Sequence, residues 1–129
     1  MADTVYVVNN GLGLVTAALA ASNHKYVAWG TGVTVAAVTD AALETAAAPT
    51  NVTAVTGTQS QQTTTSTNDT YQVIATVTAS GALAITEVGI FNQATVSGAT
   101  MYLHGTFSPI NVSSGDSIQF TIKTVFDQA

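Results

Sequence analysis

The chain has 129 residues, no cysteine, and seven acidic side chains against two basic ones, for a formal net charge of −5. That length fits a single domain, expected over residues 1–129 with an arm over residues 1–10. The absence of cysteine excludes disulfides and thiolate metal sites, and two scattered lysines leave no basic cluster with which to grip nucleic acid or an anionic membrane.

Residues 4–8 (TVYVV) are β-branched and aromatic and read as a short strand, broken by Asn9, Asn10 and Gly11. Residues 12–21 place Leu12, Val15 and Leu19 at helical spacing among alanines, which predicts a short helix. Gly13 weakens that helix by about 1 kcal/mol relative to Ala. Residues 22–25 end it, with Lys25 suited to the C-terminal dipole. Residues 26–29 (YVAW) read as a buried strand closed by Gly30 and Gly32, and residues 33–38 follow with no clean period. Residues 39–44 look like a second helix of one or two turns, capped by Thr39 or Asp40 and stopped before Pro49.

From Asn51 onward the chain reads as strands, over residues 52–58, 70–79, 82–92, 101–107 and 117–125. The last has the clearest period of two: Ile118, Phe120 and Ile122 on one face, Gln119, Thr121 and Lys123 on the other. Gly105 suggests a bulge or a close approach, and residues 113–116 (SSGD) form a strong turn signal. The polar, low-complexity residues 58–70 read as a flexible loop, an exposed edge strand, or an arm ordered on a neighbour. The fold class expected is mainly β: an antiparallel β-sandwich, jelly-roll-like, with one or two short helices in the N-terminal third.

Catalytic chemistry has little to stand on. His24 and His104 are far apart and show no metal-ligand spacing, so no metal and no cofactor is expected. There is no nucleophile elbow and no phosphate-binding loop. Asp40 is accounted for by helix capping and Asp116 by its turn, while Asp40 and Glu44 would share one helix face and repel mildly. Glu87 is the unusual carboxylate, inside the apolar run ITEVGIF; if buried it needs a donor such as a backbone N–H or Lys123. Trp29, Tyr26, Tyr71 and Tyr102 could form a sugar-stacking platform but more commonly such aromatics are core or interface anchors. The expectation is a protein that is not an enzyme.

The scarcity of charge carries more weight. Charged residues make up 7% of the chain, against ~25% in ordinary globular proteins. On a surface of ~6,400 Å² from size scaling, that is one charge per ~700 Å². Long charged side chains are depleted at interface cores, where ordering and desolvating them is costly. The composition therefore favours a permanently assembled subunit. The start of the chain shows no basic segment followed by an apolar run and a cleavage site, so no secretory leader is expected.

The order of motifs, NGLGL at residues 10–14, YVAWGTG at 26–32, TDAALETAA at 39–47, TNDTYQVIATVTASGALAITEVGIFN at 67–92 and GDSIQFTIKTVFD at 115–127, resembles a family of small structural proteins of tailed bacteriophages. Its members are regarded as capsid decoration (cement) proteins or as tail-fibre-associated proteins. The resemblance covers nearly the whole chain. It implies a homo-oligomer, with a trimer favoured, bound to the major capsid protein on the virion surface, with no nucleic-acid or membrane partner. The uncharged QSQQ at residues 59–62 departs from similar sequences, which often carry an Arg there. The interface residues expected are Asp3, Thr4, Val5, Tyr6, Val7 and Val8, adding as a strand to a neighbour, and Gln61, Thr63 and Thr65, ordering on docking. The alternatives are a tail-fibre or baseplate-associated subunit and a carbohydrate-binding β-sandwich module.

Overall fold

A computed structural model of the chain describes residues 4–46 and 54–127; Asp3 and the first two residues of the strand expected over 52–58 lie outside them. One helix, α1 (Asn9–Ala20), precedes seven strands: β1 (Tyr26–Gly30), β2 (Val55–Thr56), β3 (Thr58–Gln62), β4 (Thr70–Thr78), β5 (Leu83–Phe91), β6 (Met101–Val112) and β7 (Ser117–Val125). They form two antiparallel sheets, β2-β1-β5-β6 and β3-β4-β7. The architecture is the expected β-sandwich. A jelly roll has eight strands in two Greek keys, and the described residues supply seven, divided four and three.

Between the sheets lie Val27, Trp29, Val73, Ala75, Val77, Ile85, Val88 and Ile90. Ile118, Phe120 and Ile122 of β7 point toward this core as their alternation predicts, yet stay half-buried. β7 is an edge strand, so no neighbour covers its outer side. Two ties hold β6 over β7: the Phe107 and Phe120 rings lie 6.2 Å apart, and the Tyr102 hydroxyl donates to Thr124 Oγ1 at 3.0 Å. The bulges in β6 flank Gly105 and spare it, since Gly105 pairs regularly with Val88. On β5, the irregularity between Ile85 and Glu87 lets Ile85 and Val88, three residues apart, join the same core.

α1 begins three residues before its predicted start, taking in the Asn-Asn-Gly expected to be a breaker. Tertiary contacts override the weak local propensity. Gln59 and Gln61 lie opposite the core residues Val73 and Tyr71 in the β3–β4 register, and they reach the helix. The Gln61 amide donates to Gly13 O at 2.9 Å and Thr16 Oγ1 at 2.8 Å, and the Gln59 amide donates to Leu19 O and Ser22 O. At the helix end Ala17 O and Leu19 O accept the Ala21 and Ser22 N–H groups and Leu19 O also accepts the Gln59 amide, while no basic residue occupies the last turn. α1 thus lies against β3 and β4 of the three-stranded sheet.

Residues 4–8 form no strand. They lead into α1, with the extended Val8 as its N-cap, and pair with no strand among the described residues. The segment 58–70 divides: residues 58–62 are the edge strand β3, one of the three forms expected, and residues 63–69 are a turn built on Asp69. The buried Asp69 carboxylate accepts the N–H groups of Thr64, Thr65 and Ser66 and the Thr70 hydroxyl. These bonds, Ser66's the strongest, outweigh burial and hold its pKa well below the usual carboxylate range. A depressed pKa stabilises above the unfolded value of 3.8, and this support is lost only as pH falls through the lowered value. Asp69→Ala is expected to lower Tm and to speed amide exchange at residues 64–66 together, with Asp69→Asn intermediate; unchanged exchange would show that the turn stands without the carboxylate.

Candidate functional site

Glu87 and His104 come together because β5 and β6 are neighbours. Glu87 pairs with Thr106 and Gly89 with His104, so the Glu87 and His104 side chains are diagonal partners on one face of the sheet. That is the outer face, where Ala28 and Phe91 are also buried against Leu43. Residues 31–46 fold back over it, which is why β5 is covered on both sides and reads as a continuous apolar run.

The helix expected over residues 39–44 does not form. The N–H groups of Glu44 and Thr45 donate to the Glu87 carboxylate at 3.1 and 2.9 Å, and the Glu44 carboxylate accepts the Thr34 N–H at 2.7 Å. Asp40, expected as a helix cap, instead accepts the N–H of Ala37, three residues earlier. Of the two donors considered for Glu87, Lys123 is out of reach, because it lies in the other sheet opposite Gln72. The other, backbone N–H, is found, and His104 joins it as a donor that the sequence reading did not name.

His104 completes the cluster: Nδ1 lies 2.7 Å from Asp40 Oδ2 and Nε2 lies 2.9 Å from Glu87 Oε2. The Glu87 side chain is 0% exposed and that of His104 6%. Burial pulls the His104 pKa down, but hydrogen bonds to Asp40 and Glu87, and their charges, prevail and leave it raised. Burial pushes Glu87 up, yet the Thr45 and Glu44 N–H groups and His104 more than compensate and leave it lowered. Asp40 is lowered chiefly by the Ala37 N–H and next by His104. Both imidazole nitrogens are thus engaged by carboxylates, leaving neither for a substrate proton or a metal ion. Among the described residues no group of three or more His, Cys, Asp or Glu side chains is arranged to hold a metal. What the cluster does is fasten residues 31–46 to the sheet.

Its pH dependence has a definite sign. The raised His104 pKa contributes stability fully present below the unfolded value of 6.5 and lost as pH rises through the folded value. The lowered Glu87 and Asp40 contribute above 4.5 and 3.8, and that support fades as pH falls through their folded values. Urea melts are therefore expected to give a plateau between the carboxylate and imidazole ranges and a decline on the alkaline side. His104→Gln should flatten the alkaline decline; an unaltered profile would mean that His104 is not its source.

The anticipated contact residues sit elsewhere. Asp3 lies outside the described residues. Thr4 is exposed, and Val5, Tyr6, Val7 and Val8 are exposed too, Val5 at 93% and Tyr6 at 78%. Gln61 has its amide committed to α1, Thr63 Oγ1 accepts the Asn68 N–H, and the Thr65 N–H donates to Asp69. A second exposed apolar group escaped the sequence reading: Val33 at 79%, Val35 at 78% and Val38 at full exposure, all on the segment that the His104 cluster secures. Their only signal in the sequence was a valine-rich run without period. Of the four aromatics considered for sugar stacking, Trp29 and Tyr71 are buried and Tyr26 and Tyr102 half-buried, so they make no exposed platform. No described helix is long and apolar enough to cross a membrane. No family model matches the chain, and no curated protein or solved structure is significantly similar to it.

Proposed function

We propose that this chain is a structural protein of a phage particle: a capsid decoration subunit that acts by lasting contact with its own copies and with the major capsid protein. The observation that carries the reading is the division of its surface. Asp40, Glu44, Asp69, Glu87 and Asp116 accept hydrogen bonds within the chain. Large apolar side chains are meanwhile turned outward on two segments, Val5 to Val8 and Val33 to Val38. Exposed apolar groups of that kind mark contact surfaces. The resemblance in motif order supplies the phage setting and the trimer, and neither depends on a catalytic group.

In this reading the protein adds contact area between neighbouring shell subunits, a small gain repeated over many sites. Asp3 to Val8 and the turn bearing Thr63 and Thr65 are the surfaces assigned to those contacts, with Gln61 beneath them holding α1. The test is quantitative mass spectrometry of purified particles, scaled to the major capsid protein, with immunogold labelling for position. Hundreds of copies over the head would support the proposal. A few dozen or fewer, confined to the tail, would replace it with a fibre or baseplate role, and complete absence would overturn both.

A further inference from the structure

Residues 31–46 are attached to the sheet in two ways. Near both ends the backbone is gripped by the buried Thr86 and Glu87. The Thr86 hydroxyl donates to Gly32 O, and Glu87 accepts the Glu44 and Thr45 N–H groups, with Leu43 packed against Ala28 and Phe91. Between these ends, residues 35–40 are tied to β6 by two hydrogen bonds. The Ala36 N–H donates to Thr106 Oγ1 at 3.2 Å, and His104 Nδ1 lies 2.7 Å from Asp40 Oδ2. Ala36 is half-buried and the other five residues are exposed. Ala36, Ala37 and Val38 line a hollow of about 300 Å³ with Met101 and Leu103. None of residues 35–40 belongs to the core between the sheets. They form an arm resting over a gap, fixed at its base and held down in the middle by polar bonds.

The proton count of His104 decides whether that hold can last. Nδ1 and Nε2 both face carboxylate oxygens, so both bonds exist together only while the imidazole carries two protons. The charged groups around the ring are Glu87 from β5 and Asp40 from the covering segment, whose Glu44 lines a hollow of about 280 Å³ with the ring. All three are acidic. After one proton leaves, a single N–H remains for two carboxylates. The Glu87 side chain is 0% exposed and cannot turn to water, whereas that of Asp40 is 28% exposed and can. A carboxylate stripped of a donor costs more where it is buried. The remaining proton therefore stays on Nε2, and the Nδ1 lone pair is left facing Asp40. We propose that the second proton on His104 is a latch: with it residues 35–40 lie down on β6, and without it they lift while Gly32, Glu44 and Thr45 keep their places and the sandwich stays folded. Because the carboxylates favour the protonated ring, release falls on the alkaline side of the ordinary imidazole value of 6.5. The latch is independent of the virion role proposed above.

NMR of the unaltered full chain across the imidazole range tests it. The His104 ring nitrogens should pass from the doubly protonated form to the Nε2–H tautomer. Over the same range, protection of the Ala36 amide, corrected for the intrinsic pH dependence of exchange, should fall roughly tenfold or more. That factor corresponds to one pH unit of displacement in the imidazole midpoint. The NOE contact between Ala36 and Thr106 should fade with it, while the Glu44 and Thr45 amides and those of the central strands β4 and β5 stay protected. His104→Gln should give Ala36 exchange without the step. An Ala36 amide that stays protected through the titration would overturn the latch, as would an Nδ1–H tautomer above it. Loss of protection at Ala36, Glu44 and the central strands together would show global unfolding in its place. A step that persists in His104→Gln would assign the titration to another group. Should that variant fail to fold, the titration of the unaltered chain decides alone.

Discussion

Glu87→Ala is expected to destabilise the fold by about 3–5 kcal/mol, the range for removing one partner from a buried ionic group. The carboxylate serves three donors at once: the Glu44 and Thr45 N–H groups and His104 Nε2. Removing it leaves two backbone donors and an imidazole facing a void under residues 31–46, and water replaces it only if that segment lifts. Chemical denaturation gives the magnitude, and amide exchange at Thr34, Glu44 and Thr45 shows whether the segment has lifted. Glu87→Gln keeps one oxygen but turns an NH₂ toward a donor, so a smaller loss is expected. If Glu87→Ala costs less than about 1 kcal/mol, the scale of one ordinary hydrogen bond, the cluster does not fasten the segment.

Gly30→Ala should be comparably damaging for a steric reason. A Cβ at Gly30 would overlap Glu87 Oε1 and the Thr45 carbonyl oxygen, the latter a backbone atom that cannot swing aside. Gly30 pairs with Glu87 across the β1–β5 ladder and forms a bridge to Ala46, so the overlap strikes sheet and covering segment together. A loss of about 3 kcal/mol, the upper end for overpacking, is expected. Gly81 is the control: a Cβ there would meet nothing within 4 Å, and its φ is not positive. Gly81→Ala should be neutral or stabilise by about 0.4–1 kcal/mol through the unfolded chain. Equal effects from the two substitutions, measured by urea denaturation, would refute the packing assigned to Gly30.

How much of this the sequence disclosed depended on how local the deciding interaction was. β7 is predicted to the residue because it alternates cleanly and one face is solvated. β4 and β5 are found nearly whole from β-branched residues between turns. Residues 4–8 have the same local preference and make no strand, since propensity cannot supply a partner. The helix over residues 39–44 is lost to a contact with Glu87, 42 and 43 residues away in sequence, which no local window contains. The site was half visible. Glu87 stood out as a carboxylate in an apolar strand, whereas His104 looked isolated because its relation to Glu87 exists only once the β5–β6 register is known. The surface valines were hidden for another reason: outside regular structure, no periodicity separates an apolar residue that faces the core from one that faces water.

The pairing of β4 with β7 bears on when the protein can fold. β4 lies at the centre of its sheet and meets β7 along its whole length, from Thr70 opposite Val125 to Thr78 opposite Ser117. β5 and β6 are made in between, and both belong to the other sheet. A ribosome that has finished β6 therefore holds a chain in which one long side of β4 is bare, with Tyr71, Val73, Ala75 and Val77 awaiting half of their cover. Chains interrupted there would present an unpaired strand edge beside apolar side chains, the form most prone to aggregate. Completion of the second sheet waits until residue 125 has left the exit tunnel, so β4 gains its long partner only after both strands made in between have emerged and can pair with each other.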